Sequence, residues 1–217
     1  MRELIITFHG LGEPPRGASE AERKVWVPVA WLEAVLGALP PRGVSVGFDD
    51  GNRSDAEHAL PALLRAGRTA RFFVLAGQLD DPARLSVADV QRLRGAGMQI
   101  GSHGLHHRDW RAVADDELHA ELVDSRRTLR EISGDGVEEA ACPFGSYDRR
   151  VLAALRSAGY RRTFTSDGGS CSSNAWLAAR TTITADRPLS QWLDLVAAGP
   201  AAADPVIRLK SAVKRLR

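Results

Sequence analysis

The chain has 217 residues, 44% of them hydrophobic, 26% charged and 6% aromatic, a size and composition that suit one domain or at most two. Twenty Gly and 11 Pro exclude a collagen-like or low-complexity chain, and no apolar run approaches the roughly 18 residues of a membrane span. Lys+Arg 29 against Asp+Glu 27 is too even a balance for a dedicated nucleic-acid binder, and two cysteines, Cys142 and Cys171, suit a reduced chain rather than a disulfide framework.

Short β-branched or aromatic runs alternate with helix-like segments. Leu4–Phe8 reads as a strand that ends at His9, and the stretch from Gly10 to Val25, rich in Gly, Pro and charge, reads as a loop. Val27–Leu39 has helical spacing, Val44–Asp50 reads as a strand, and Ser54 can cap a helix running to Arg65. Arg71–Leu75 and Met98–Ser102 are the next strands, separated by a helix from Ser86 to Arg94. A long helix is predicted over Asp115–Ile132, a strand over Glu138–Pro143 and a helix over Tyr147–Ser157. Arg162–Ser166 and Trp176–Thr184 read as further strands, followed by helices near Leu189–Ala198 and Asp204–Leu216. With no repeat, linker or break in composition, this alternation implies one α/β domain over 1–217 built on a parallel sheet or barrel.

Catalytic groups of parallel α/β folds stand where strands end at their C-terminal edge. Here those ends carry His9-Gly10, Asp49-Asp50-Gly51-Asn52, Ser102-His103-Gly104-Leu105-His106-His107 and Pro143-Phe144-Gly145-Ser146-Tyr147. Neighbouring strand residues face opposite ways, so Asp49 and Asp50 suit different tasks, one holding a metal while the other takes a proton; the bland reading of D-D-G-N is a turn. His103 and His107 lie four apart, so one helical turn after the strand would set both on one side as metal ligands, with His106 on the surface; the bland reading is a solvated loop. His9 alone would be an ordinary core or loop histidine and gains weight only from sharing this rim. Cys142 has no activating motif beside it and reads as a small buried residue.

The segment 204–217 carries five Lys or Arg against Asp204 alone, with Val206, Leu209, Val213 and Leu216 at helical spacing. Such a basic amphipathic helix either packs on its own domain or makes peripheral contact with an anionic membrane. The N-terminus shows no apolar stretch and cleavage site of a signal peptide, so the expected location is the cytoplasm, up to the inner face of the membrane.

Taken together, Gly47-Phe48-Asp49-Asp50-Gly51, Ser102-His103 through His107 about fifty residues later, and Ala141-Cys142-Pro143-Phe144-Gly145-Ser146-Tyr147-Asp148 resemble the three motifs of the polysaccharide deacetylase family, the NodB-homology domain of carbohydrate esterase family four. Gly47 stands where the family has Thr. The resemblance implies a distorted (β/α) barrel and metal-dependent removal of an N-acetyl group from an amino sugar, lipid-linked, nucleotide-linked or in a small glycoside. It implies a divalent metal, usually zinc, on Asp50, His103 and His107. Asp49 would be the general base and the Phe144 backbone N–H an oxyanion donor. Pro143 and Tyr147 would touch substrate, and Trp26 or Trp110 could stack on a sugar or belong to the core. The arginine that orients the base in many members falls on Ala141, and Arg180 offers itself by position alone. The family's C-terminal catalytic His is missing, and Leu4–Phe8 with His9 looks like the same strand moved to the N-terminus, with His9 as general acid. The alternatives are an amide hydrolase acting on a non-sugar or N-formyl substrate and a non-catalytic carbohydrate-binding relic of the fold.

Overall fold

A computed structural model describes residues 1–134 and 136–201; the basic helix expected over 204–217 lies outside them. Among the described residues, nine strands form one sheet: β1 Arg2–Phe8, β2 Val44–Asp50, β3 Arg71–Val74, β4 Gln99–Ser102, β5 Glu139–Ala141, β6 Arg162–Thr165, β7 Ser170–Ser172, β8 Leu177–Ala179 and β9 Thr181–Thr182. Their order is β8-β6-β5-β4-β3-β2-β1-β9, all parallel, with β7 antiparallel on the first half of β1. The run predicted as one strand over Trp176–Thr184 is broken at Arg180. Its first part pairs with β6 and its second with β1, so one chain segment bridges both edges and nearly closes a barrel. The expected α/β barrel is thus the observed one.

Strand alternation sorts side chains into an inside and an outside. Inside, Ile5, Phe73, Ala141, Phe164 and Ala178 form a dry middle layer. Below it, at the N-terminal ends of the strands, lie Glu3, Arg71, Glu139 and Arg162, joined by ion pairs of 2.9–3.9 Å. Above it lie Asp49, His103 and Arg180. The aromatic layer separates the two sets, with the guanidinium of Arg180 4.9 Å from the Phe73 ring centre and that of Arg162 5.0 Å from Phe164. Outside, Phe8, Phe48 and Phe72 stack in register across β1, β2 and β3 under the helices. A second apolar cluster around Trp110, Tyr147, Leu155 and Tyr160 covers β5.

Two local departures from the expected elements bear on the rim. The stretch read as a loop from Gly10 to Val25 contains a helix, α1 Glu20–Val25, begun by a capping box in which Ser19 and Glu22 satisfy each other's backbone N–H groups. The helices after β2 and β4 each contain a π-helical turn, Asp55–Ala59 and Ala120–Asp124. The first turn carries Asp55 and the second Glu121, both buried carboxylates. Such turns add one residue per cycle and redirect a side chain, and they cluster at functional sites.

Candidate active site

Asp50 ends β2 with φ 76°, a left-handed conformation that costs a non-glycine residue and tips its side chain off the strand's alternation. Asp49 keeps the alternation and points into the barrel. Both carboxylates therefore reach the rim, Asp49 by alternation and Asp50 by the turn at the strand's end. The Asp50 turn is tied down by Arg84, whose guanidinium donates to the Asp50 carbonyl at 3.4 Å and to the Asn52 side chain at 2.7 Å. The Asn52 amide in turn donates to the His9 carbonyl at 3.3 Å, joining the ends of β1 and β2.

His103 follows β4 and is buried. Its Nδ1 lies 2.9 Å from the Ala141 carbonyl, which can only accept, so Nδ1 carries the proton and Nε2 is presented to the rim. His107 reaches the same place by a route other than the expected helical turn. The loop 103–107 is wound around the Glu121 carboxylate, which accepts from the Leu105 and His106 N–H groups at 2.9 and 3.0 Å and from the Trp110 indole at 3.3 Å. Gly104 is required there, because a Cβ would lie 2.2 Å from that carboxylate. His107 closes the loop with φ 57°, and His106 stays exposed.

Asp50 Oδ1 lies 3.4 Å from Nε2 of both histidines. The three ligand atoms fall within 4.8 Å of one another, and Asp50 Oδ1 is buried with no hydrogen-bond partner. Burial pushes the Asp50 carboxyl up, but the imidazoles of His103, His9 and His107 around it outweigh burial and hold Asp50 well below the usual carboxylate range. Burial, reinforced by the His103 charge, pushes His107 down to about 4, leaving it neutral. One carboxylate and two imidazoles converging on a point make a donor set of the kind that holds a divalent metal. The residues fit such an ion.

Asp49 is buried and clamped by Arg180, which is fully buried, through two parallel hydrogen bonds of 2.6 and 2.7 Å. Burial alone would raise the Asp49 carboxyl, yet the Arg180 charge, with those of His103 and His9, holds it below its ordinary value. Ala141 lies in the dry layer of the barrel interior, and Arg180 reaches Asp49 from the strand break between β8 and β9. His9 Nε2 stands 3.9 Å from Asp49 Oδ2 across the mouth of the barrel, and its Nδ1 is buried without a partner. Phe144 has φ 57° and a side chain 67% exposed, with its ring 4.4 Å from that of His107.

Several expected substrate contacts do not reach the rim. Trp110 is fully buried in the second apolar cluster with its indole N–H on Glu121, so it is a core residue. Tyr147 is buried, its hydroxyl donating to Asp167 at 2.7 Å, and Pro143 is buried as well. Trp26 is half-buried over the backbone that follows His9, where a Cβ on Gly10 would lie 2.0 Å from its ring. Sequence reasoning missed Glu121, Asn52, Arg84 and Asp55. The Asp55 carboxyl is pushed well above its ordinary value by burial and by the charges of Asp50 and Asp49.

The sequence profile described as Polysaccharide deacetylase matches residues 37–163. Among curated proteins, a Bacillus subtilis (strain 168) relative named "Putative polysaccharide deacetylase YxkH" is 23% identical over 129 residues, 59% of this chain and 46% of its own length. The chain thus spans about half the length of the curated relatives it matches. The solved Streptococcus pyogenes deacetylase PplD, in complex with acetate, superposes with a TM-score of 0.78 at 19% identity, covering 89% of this chain and 97% of that one. IcaB from Ammonifex degensii gives 0.74 at 18% identity over 89% and 96%.

Proposed function

Since the chain belongs to the polysaccharide deacetylase family, we propose that it hydrolyses the N-acetyl group of an amino sugar, with Asp50, His103 and His107 holding a divalent cation, zinc by its preference for such a donor set. The observation that carries this reading is the convergence of that triad, the Arg180-clamped Asp49 and His9 on one rim. When bound, the cation supplies Lewis acidity, polarising the amide carbonyl and acidifying an attacking water.

The protein's own groups do the rest. Arg180 fixes both Asp49 oxygens and keeps the carboxylate anionic, so Asp49 takes the proton of the water as its oxygen attacks the acetyl carbon. The Phe144 N–H supports the negative charge that develops on the carbonyl oxygen. When the C–N bond breaks, the amine is a poor leaving group unless protonated, and His9, on the other side of Asp49, delivers that proton. The products are acetate and a free amino sugar. The exposed Phe144 ring and the half-buried Trp26 offer apolar faces to the sugar.

The test is acetate release from a panel of N-acetylated sugars by protein stripped of metal and then resupplied with zinc. Release that appears only with metal supports the reading. Metal-independent release, or release from N-formyl or non-sugar amides alone, overturns it.

A further inference from the structure

His107 stands on no helix or strand, so its position depends on what holds the backbone of the loop before it. That loop is gripped from both sides. On one side the turn after β3 supplies donors: the Ala76 N–H to the Gly104 carbonyl at 2.9 Å and the Gly77 N–H to the Leu105 carbonyl at 3.0 Å. On the other side the loop itself donates, Gly104 to the Ser102 hydroxyl at 3.1 Å, and Leu105 and His106 to the two oxygens of Glu121.

The second grip is anchored. The Ser125 hydroxyl donates to the Glu121 carbonyl at 2.5 Å, so in the 2.8 Å contact between the Ser102 and Ser125 hydroxyls the donor is Ser102. One directed chain of hydrogen bonds therefore joins Gly104, the end of β4 and the π-helical turn that carries Glu121. The Glu121 carboxylate is buried, and its three partners are all N–H donors, His106 on one oxygen, Leu105 and the Trp110 indole on the other. This pocket calls for two oxygens that accept. A glutamine amide has one such oxygen, and either orientation would set its NH2 group against at least one N–H.

We propose that Glu121 is the positioning residue of the Asp50–His103–His107 triad, its carboxylate holding the loop in the shape that brings both imidazole Nε2 atoms to 3.4 Å from Asp50 Oδ1. Its bonds go to loop backbone and to Trp110, so it acts on the metal through the chain and not by ligation. These bonds form within the protein and need no ion, so their loss is felt as a loss of metal affinity. The inference rests on the metal-dependent reading above and adds a residue that reading does not use.

The experiment measures zinc affinity by titrating the metal-free, full-length protein with zinc in competition with a chromophoric chelator. Glu121→Gln is expected to bind zinc about 10–100-fold more weakly, the usual cost of removing a group that orients a metal ligand. Glu121→Asp keeps both acceptor oxygens one methylene short of the loop and should fall between the two. It decides the matter by the same measurement if Glu121→Gln does not fold. A purely structural role would lower the thermal midpoint and leave the zinc affinity of the folded variants unchanged, and that result overturns the proposal while the deacetylase reading stands. If the unaltered protein binds no zinc, the metal reading itself fails and the positioning role goes with it.

Discussion

At the N-terminal ends of the barrel strands, Glu3, Arg71, Glu139 and Arg162 pair acid with base on regular strand backbone: Arg162 donates to Glu3 at 2.9 Å and Arg71 to Glu139 at 3.0 Å. At the C-terminal ends, β2, β4 and the break between β8 and β9 carry Asp49, Asp50, His103 and Arg180, and the pairing is incomplete. Asp49 has its guanidinium, but Asp50 Oδ1 has only two imidazole nitrogens at 3.4 Å and no donor of its own. Three of the four positive-φ residues other than Gly among the described residues, Asp50, His107 and Phe144, stand at this end. Both ends use the layers above and below one aromatic plane. One spends its charges on each other and the other holds them for a ligand, with backbone strain as the accompanying cost.

The largest expected effect is a way to break this contrast. His107→Ala removes a ligand on the strained loop without touching the barrel interior. Zinc content measured by elemental analysis should fall well below one per chain, and acetate release by about a thousandfold, a loss of several kcal/mol of transition-state stabilisation. The thermal midpoint of metal-free protein should barely move. His9→Ala should come next, lowering kcat by about a hundredfold. A variant that keeps kcat within a few-fold of the unaltered protein would give the acid role to another group.

Arg71→Ala sharpens the comparison from the other end. It leaves Glu139 and part of Glu3 without a partner inside the barrel, so chemical denaturation should show a loss of about 2–3 kcal/mol, short of the 3–5 typical when a fully buried pair is broken. With the dry layer of Phe73 and Phe164 between it and Asp49, kcat should stay within about twofold. A large loss of kcat with stability intact would mean that the two ends are not independent.

How much of this was legible in the sequence depends on how local its cause is. The alternation of strands and helices, the separation of Asp49 from Asp50 and the weight of His103 and His107 all follow from periodicity and strand ends. The route by which His107 arrives does not, because it depends on Glu121, which lies on the next helix and is turned inward by a π-helical cycle that leaves no local mark in the sequence. Trp110 and Tyr147 looked like rim aromatics because chain proximity to a motif says nothing about which layer a ring enters. The Ser19–Glu22 capping box was a local signal, masked by the Gly and Pro before it. Arg180 is the middle case: its place after a late strand was visible, but its contact with Asp49 exists only because the strand breaks there and closes the barrel.

The smallest effect separates the two ends by the sign of a pH dependence. Glu3, at the paired end, is raised by burial but lowered more by hydrogen bonds from Ser45 and Arg162 and by the charges of Arg162 and Arg71, so its carboxyl lies below the ordinary 4.5. A depressed carboxyl stabilises the fold above its unfolded value, and that contribution is lost as pH falls through the folded one. The stability gap between the unaltered protein and Glu3→Gln should therefore be constant near neutrality and close as the pH drops below 4.5. Asp55, beneath the ligand-holding end, has its carboxyl raised well above 3.8 by burial and by Asp50 and Asp49. Its contribution is present below that value and lost as pH rises through the folded one, so the unaltered protein should lose ground to Asp55→Asn with increasing pH. Denaturant midpoints for both pairs across the acid-to-neutral range would check this. Slopes of the same sign would mean that the carboxyls at the two ends are held by the same balance of forces, and the contrast drawn from their partners would fail.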